Sequence, residues 1–144
     1  MKHPPQARIA RLPARLYADL IGKPYLADGR GPAAYDCLGL VLELQRRQGR
    51  QVPEYSSSSE ELHRSVDRGA GVLGVARSIG HPQPGCVVLL RTLEPGRVHM
   101  GTMLDPWAMV HCSESSQSVV VERLAGSRWE RCVLGFYVPQ GGAA

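Results

Sequence analysis

The sequence predicts an α+β fold, with N-terminal helices packed on one antiparallel sheet of about five strands. Three observations predict the α+β class. Apolar residues before Gly49 recur at steps of three and four, those after Gly85 fall in β-branched runs, and the links between those runs are short enough for antiparallel hairpins. The 144 residues fit one domain, taken as 1–144, with a loose start over 1–5 where Pro4 and Pro5 stand.

Between Gln6 and Gly22, the spacing of Ile9, Leu12, Leu16, Leu20 and Ile21 predicts an amphipathic helix, interrupted at Pro13. Lys23 to Ala34 reads as a loop rich in turn formers, with Pro24, Gly29, Gly31 and Pro32. Asp36 then N-caps a helix that runs to Gln48, with Arg46 and Arg47 in its last turn and Gly49 as its C-cap. Ser58 and Glu61 form a capping-box pair ahead of Leu62 and Val66, which predicts a short helix. Strands are expected over Cys86–Leu90, Val98–Leu104, Trp107–Cys112, Ser118–Arg123 and Val133–Val138.

Composition narrows the function. Hydrophobic content of 43% and charged content of 21% are those of an ordinary globular protein, and no apolar run is long enough to span a bilayer, so membrane insertion is not expected. The first twenty residues lack an uninterrupted apolar segment of the Sec type, which predicts synthesis in the cytoplasm without a signal peptide. A net charge of +4 is scattered rather than clustered and has no interleaved aromatics, which argues against nucleic acid as a partner. Cys37, Cys86, Cys112 and Cys132 include no C-x-x-C pair or finger spacing, so the thiols are read as reduced, with no metal and no cofactor.

The chemistry centres on Tyr35-Asp36-Cys37-Leu38-Gly39-Leu40-Val41. Cys37 falls in the first turn of a helix, where unpaired amides and partial positive charge favour a thiolate. A lone cysteine in that place is more often a small buried apolar residue than a nucleophile. Gly39 leaves room for another element to approach closely. A thiol nucleophile needs a base, and the base needs an orienting group. Of five histidines, His99 and His111 lie in adjacent expected strands; a hairpin turn at Asp105-Pro106 sets them opposite each other, so that one imidazole fixes the tautomer of the other. His3, His63 and His81 lie in less constrained segments.

Gly22-Lys23-Pro24-Tyr25, Gly29-Arg30-Gly31-Pro32, Asp36 to Val41, Pro84-Gly85-Cys86-Val87-Val88-Leu89, Val98-His99-Met100-Gly101 and Val110-His111 together resemble the NlpC/p60 cysteine peptidase family. The resemblance implies a papain-like α+β domain, Cys37 as nucleophile, His99 as base and His111 as its orienting group. It places Tyr25 at the oxyanion site, and it implies isopeptide bonds of the γ-glutamyl type in peptidoglycan stem peptides as substrate. Asp36 is a candidate for the substrate's ammonium group as well as the N-cap. Gly29 to Pro32, Leu38 in place of the usual serine, and Val52-Pro53-Glu54-Tyr55 look most like versions carried by phage and prophage tails, which implies other tail proteins as partners and delivery to the cell wall by the virion. Cys86 departs from the family's usual Pro-Gly-Asp. An injected amidase effector and a structural tail-tip protein with a vestigial site remain as alternatives. The peptidase reading requires Tyr25, Cys37 and His99 to share one cleft, with His99 on the sheet face that carries the Cys37 helix.

Overall fold

The computed structural model describes residues 9–50 and 76–139; the helix expected after Ser58 and the Val52–Tyr55 segment lie outside them. The long first helix does not form. Two 3₁₀ turns, Ala14–Leu16 and Ala18–Leu20, stand in its place, and Pro13 caps the first. Proline has no amide to give and its ring collides with the carbonyl four residues back, so an α-helix cannot run through it. The helical stripe is accordingly split: Leu12 and Leu20 are buried while Ile9 and Ile21 are exposed. The Leu12 amide donates to the Leu104 carbonyl at 2.7 Å, which fastens this segment to the sheet.

Helix α1 spans Cys37–Arg47. Asp36 caps it as expected, its Oδ1 accepting from the Gly39 amide at 2.7 Å, and Gly49 follows the helix at φ +81°, in the left-handed region that glycine enters without strain. Leu38, Val41 and Leu44 are fully buried, each contributing about 2 kcal/mol by removal from water. At its far end Gln45 and Gln48 donate through Nε2 to the Gly85 carbonyl at 3.0 and 3.2 Å, and Arg50 Nη1 reaches the same oxygen at 3.3 Å. This node ties the helix to the start of the sheet beside Cys86, whose side chain packs in an apolar cluster.

Among the described residues six antiparallel strands form one sheet: β1 (Ala76–Ile79), β2 (Val87–Arg91), β3 (Val98–Met103), β4 (Ala108–Cys112), β5 (Val119–Arg123) and β6 (Val133–Pro139). Their order is β1-β6-β2-β3-β4-β5, so β2 to β5 are successive hairpins and the last strand inserts beside the first two. The five expected strands are present to within one or two residues. The sixth, β1, has only four residues, Ala76-Arg77-Ser78-Ile79, and no apolar alternation of its own; its pairing with β6 defines it.

Strand alternation gives the sheet two unlike faces. Val87, Leu89, Val98 and Met100 meet Cys37, Leu38, Val41 and Leu42 of α1. Val88, Leu90, Met103 and Met109 point the other way and are covered by Trp129, Phe136 and Leu124. The β3–β4 pair is short: only Thr102↔Val110 and Met103↔Met109 are in register, although β3 begins at Val98 and β4 ends at Cys112. Beyond these pairs the two strands separate toward the end of the sheet where α1 begins.

Candidate active site

The gap between β3 and β4 opens into a pocket of about 580 Å³ whose lining includes Tyr25, Cys37, Val98, His99, Cys112 and Trp129. Cys37 enters it from the helix face. The even residues of β3 direct their amides toward β4, as Leu104 does to Ala108 at 2.8 Å, and where β4 has turned away the Met100 amide hydrogen-bonds the Cys37 thiol instead. Gly39 lets the neighbouring loop close over the helix start: a Cβ at that position would stand 2.0 Å from the Gly29 carbonyl oxygen.

Cys37 does not rest as the thiolate expected at a helix N-terminus. Burial pushes its thiol up to about 12 and the Asp36 carboxylate adds to this, outweighing hydrogen bonds from Met100 and Leu38 that act the other way. Burial likewise raises Cys86 and Cys112, each to about 11. The expected lowest pKa among the thiols is therefore not found at Cys37, because a 4%-exposed sulfur loses more hydration than the helix terminus returns.

The two histidines meet, but not as the hairpin turn suggested. The register sets Gly101 opposite His111, so His99 lies diagonally across the ladder. Its Nε2 is 2.8 Å from His111 Nδ1, and the rings cross edge-on at 5.1 Å. Gly101 makes the diagonal possible: a Cβ there would lie 3.2 Å from His111 Cβ. Both rings sit on the face away from α1, contrary to the expected placement of His99. The thiol and His99 nonetheless both line the pocket.

Trp129 was not expected here. It follows β5, stacks on His99 with centroids 5.4 Å apart, and meets His111 edge-on at 5.7 Å. The Arg128 guanidinium lies over the Trp129 ring, 4.9 Å from its centroid. Trp129 Nε1 donates to both oxygens of Glu122 at 3.0 Å, and Glu122 Oε2 is 3.7 Å from His111 Nε2. The alternation of β5, with Val119 buried toward the helix, was the available signal for Glu122; no periodicity marks Trp129 in its loop. Burial lowers the His111 pKa, and Glu122 opposes that shift.

Tyr25 lines the pocket as expected, held by its amide to Gln117 O at 2.9 Å; burial raises its phenol, with Cys37 and Asp36 adding to the shift. Asp36 is 2% exposed and is not among the lining residues; its Oδ1 receives Arg30 Nη1 at 2.9 Å as well as the Gly39 amide. It is the cap of α1 and the ion-pair partner of Arg30. Among the described residues no group of three or more His, Cys, Asp or Glu is disposed to hold a metal ion, and no helix is long and apolar enough to cross a membrane.

A helix-borne thiol and a strand-borne imidazole pair in one pocket of an α+β domain define a class of thiol–imidazole sites. The sequence model of the NlpC/P60 family matches residues 22–138, and the chain belongs to that family. Comparison with curated proteins finds no match. Among solved structures it is similar to an NLP/P60-family lipoprotein-like protein of Staphylococcus aureus, at 16% identity and TM-score 0.65 over 87% of this chain and 39% of that one. NlpC2 of Trichomonas vaginalis aligns at 20% identity and TM-score 0.63, over 87% and 46%. The NlpC/p60 domain of the peptidoglycan hydrolase SagA aligns at 20% identity and TM-score 0.56, over 87% and 93%. The chain thus spans less than half of the first two proteins' length, and these likenesses concern the fold.

Proposed function

We propose that the chain is a cysteine peptidase that cleaves isopeptide bonds of the γ-glutamyl type in peptidoglycan stem peptides. The observation that carries this reading is one pocket holding Cys37, His99 and Tyr25, with His99 braced by His111 at 2.8 Å. Family membership and the SagA domain's description as part of a peptidoglycan hydrolase support the substrate class.

His99 meets His111 through Nε2, and Nδ1 is assigned as the base toward the thiol. It takes the Cys37 proton as sulfur attacks the carbonyl, so the raised thiol pKa is overcome in the reaction rather than beforehand. The oxyanion is held by the Cys37 amide and the Tyr25 hydroxyl. The imidazolium returns the proton to the departing amine, the C–N bond breaks, and water activated by the same imidazole hydrolyses the thioester and frees the thiol. His111 orients His99 throughout. The phage-tail setting, with other tail proteins as partners, extends this reading on the strength of Gly29 to Pro32 and Leu38.

A second reading, a structural protein with a vestigial site, is favoured by the 4% exposure of Cys37 and its raised pKa. Incubating the purified protein with defined muropeptides and weighing the products decides between them: fragments cut at a γ-glutamyl bond support the peptidase, and an intact substrate supports the structural role.

A further inference from the structure

We propose that Glu122 is a positioning residue that sets the proton arrangement of the His99–His111 pair, an inference that rests on the peptidase reading above. A neutral imidazole carries one N–H, so a 2.8 Å contact between His99 Nε2 and His111 Nδ1 permits two arrangements. In the first, His99 donates from Nε2; its Nδ1 keeps a lone pair for the Cys37 proton, and His111 carries its proton on Nε2. In the second, His111 donates from Nδ1; His99 then holds its proton on Nδ1 and cannot act as base toward the thiol.

The group facing His111 Nε2 chooses between them. That nitrogen is buried and makes no hydrogen bond, and Glu122 Oε2 stands 3.7 Å from it. An ionised carboxylate only accepts, so it attracts a protonated Nε2 and repels a bare lone pair. This favours the first arrangement, the one that leaves His99 competent. Glu122 is held in place: both its oxygens receive Trp129 Nε1 at 3.0 Å, and the same indole stacks on His99. One side chain therefore fixes both ends of the chain of contacts from carboxylate to base. Among the described residues, the charged and titratable groups facing His111 are His99 from β3, Glu122 from β5 and Arg128 from the segment after β5; Glu122 favours the imidazolium and Arg128 opposes it.

The test is Glu122→Gln, which keeps size but offers an amide able to donate to the Nε2 lone pair. The expected kcat/KM falls about tenfold to a hundredfold, in the range seen when a residue orienting a functional histidine is lost, with the loss in kcat rather than KM. Removing the carboxylate also makes the imidazole pair harder to protonate, so the acid limb of the kcat/KM profile moves to lower pH, a shift that a merely structural role would not produce. Nitrogen-15 spectra of the histidine side chains give a readout independent of turnover: wild-type His99 and His111 should both be protonated on Nε2, and Glu122→Gln should mix the two arrangements. Wild-type His111 protonated on Nδ1, or a variant with unchanged rate and unchanged profile, would overturn the proposal. If the variant does not fold, the wild-type spectra decide. If the wild type cleaves no muropeptide, the peptidase reading fails while the same spectra still answer for Glu122.

Discussion

The two faces of the sheet differ in kind although the same strands build both. On the α1 face, β2 and β3 present Val87, Leu89, Val98 and Met100 to a helix, an apolar contact that any α+β domain makes. On the far face the same strand β3 presents His99, and around it gather His111, Trp129 and Glu122, all tied by polar or ring contacts. The thiol belongs to the first face and the imidazoles to the second. They line one pocket at the end of the sheet where the paired register of β3 and β4 is limited to two positions. The site depends on a defect in the sheet as much as on its residues, and each face can be perturbed without the other.

The largest effect is expected at the meeting point. Cys37→Ala and His99→Ala should each lower muropeptide cleavage by several orders of magnitude with the melting temperature little changed, because nucleophile and base act as a unit. His111→Ala should cost less, since it orients the base and leaves it in place. A folded Cys37→Ala protein with wild-type turnover would end the idea that the two faces cooperate in catalysis.

Next in size is the diagonal itself. Gly101→Val would put methyl groups where even a Cβ comes within 3.2 Å of His111 Cβ and the Met109 sulfur. We expect a loss of at least tenfold in kcat/KM, together with a destabilisation of about 1–3 kcal/mol from overpacking. Unchanged turnover would mean that the imidazoles do not need this geometry. By contrast Leu44→Ala, buried on the helix face, should cost about 2–5 kcal/mol in urea unfolding while leaving turnover per folded molecule near wild type. A matching loss of turnover would show that the faces are coupled through the core.

The division between the faces also explains what was legible in the sequence. The α1 helix could be read because its signals are local: Asp36 caps, Gly49 stops, and Leu38, Val41 and Leu44 keep helical spacing. The five longer strands were legible for the same reason, and Cys37, His99, Tyr25 and His111 could be nominated from chemistry and resemblance. A break at Pro13 was expected, but the segment after it was still misread as helix, since it forms only two 3₁₀ turns, Ala14–Leu16 and Ala18–Leu20. β1 was missed because its identity lies in its partner, β6. His99 was set opposite His111, whereas the register sets Gly101 there, a shift of two residues that keeps both imidazoles on one face; that this is the face away from α1 follows from Val98 and Met100 on either side of His99 packing against the helix. Glu122 and Trp129 are assembled by non-local contacts. Burial of Cys37, which reverses the expected sign of its pKa shift, is likewise a property of the packed molecule.

The smallest expected effect is on stability at alkaline pH, and it draws on both faces. Cys37 and Cys112 pack toward α1 and Cys86 packs on the far side, yet burial raises all three above the ordinary thiol value of 9.0, to about 12, 11 and 11. Above pH 9 the unfolded chain loses these protons while the folded chain keeps them. The unfolded state then binds fewer protons, so unfolding free energy falls as pH rises. The contribution is fully present below pH 9 and is lost as pH climbs through 11 to 12. Tyr25 and Tyr35, also raised by burial, add a slope of the same sign above their usual value of 10.0. Substitution separates them: Cys37→Ser removes one thiol from the helix face and Cys86→Ser one from the far face. Each should flatten the decline in urea midpoint between pH 8.5 and 10.5, whatever it does to stability at neutral pH. A decline as steep in Cys37→Ser as in the wild type would mean that the thiol already ionises in the folded protein near its ordinary value. The base would then have a thiolate to work with at rest, and the two faces would be electrostatically coupled before substrate arrives.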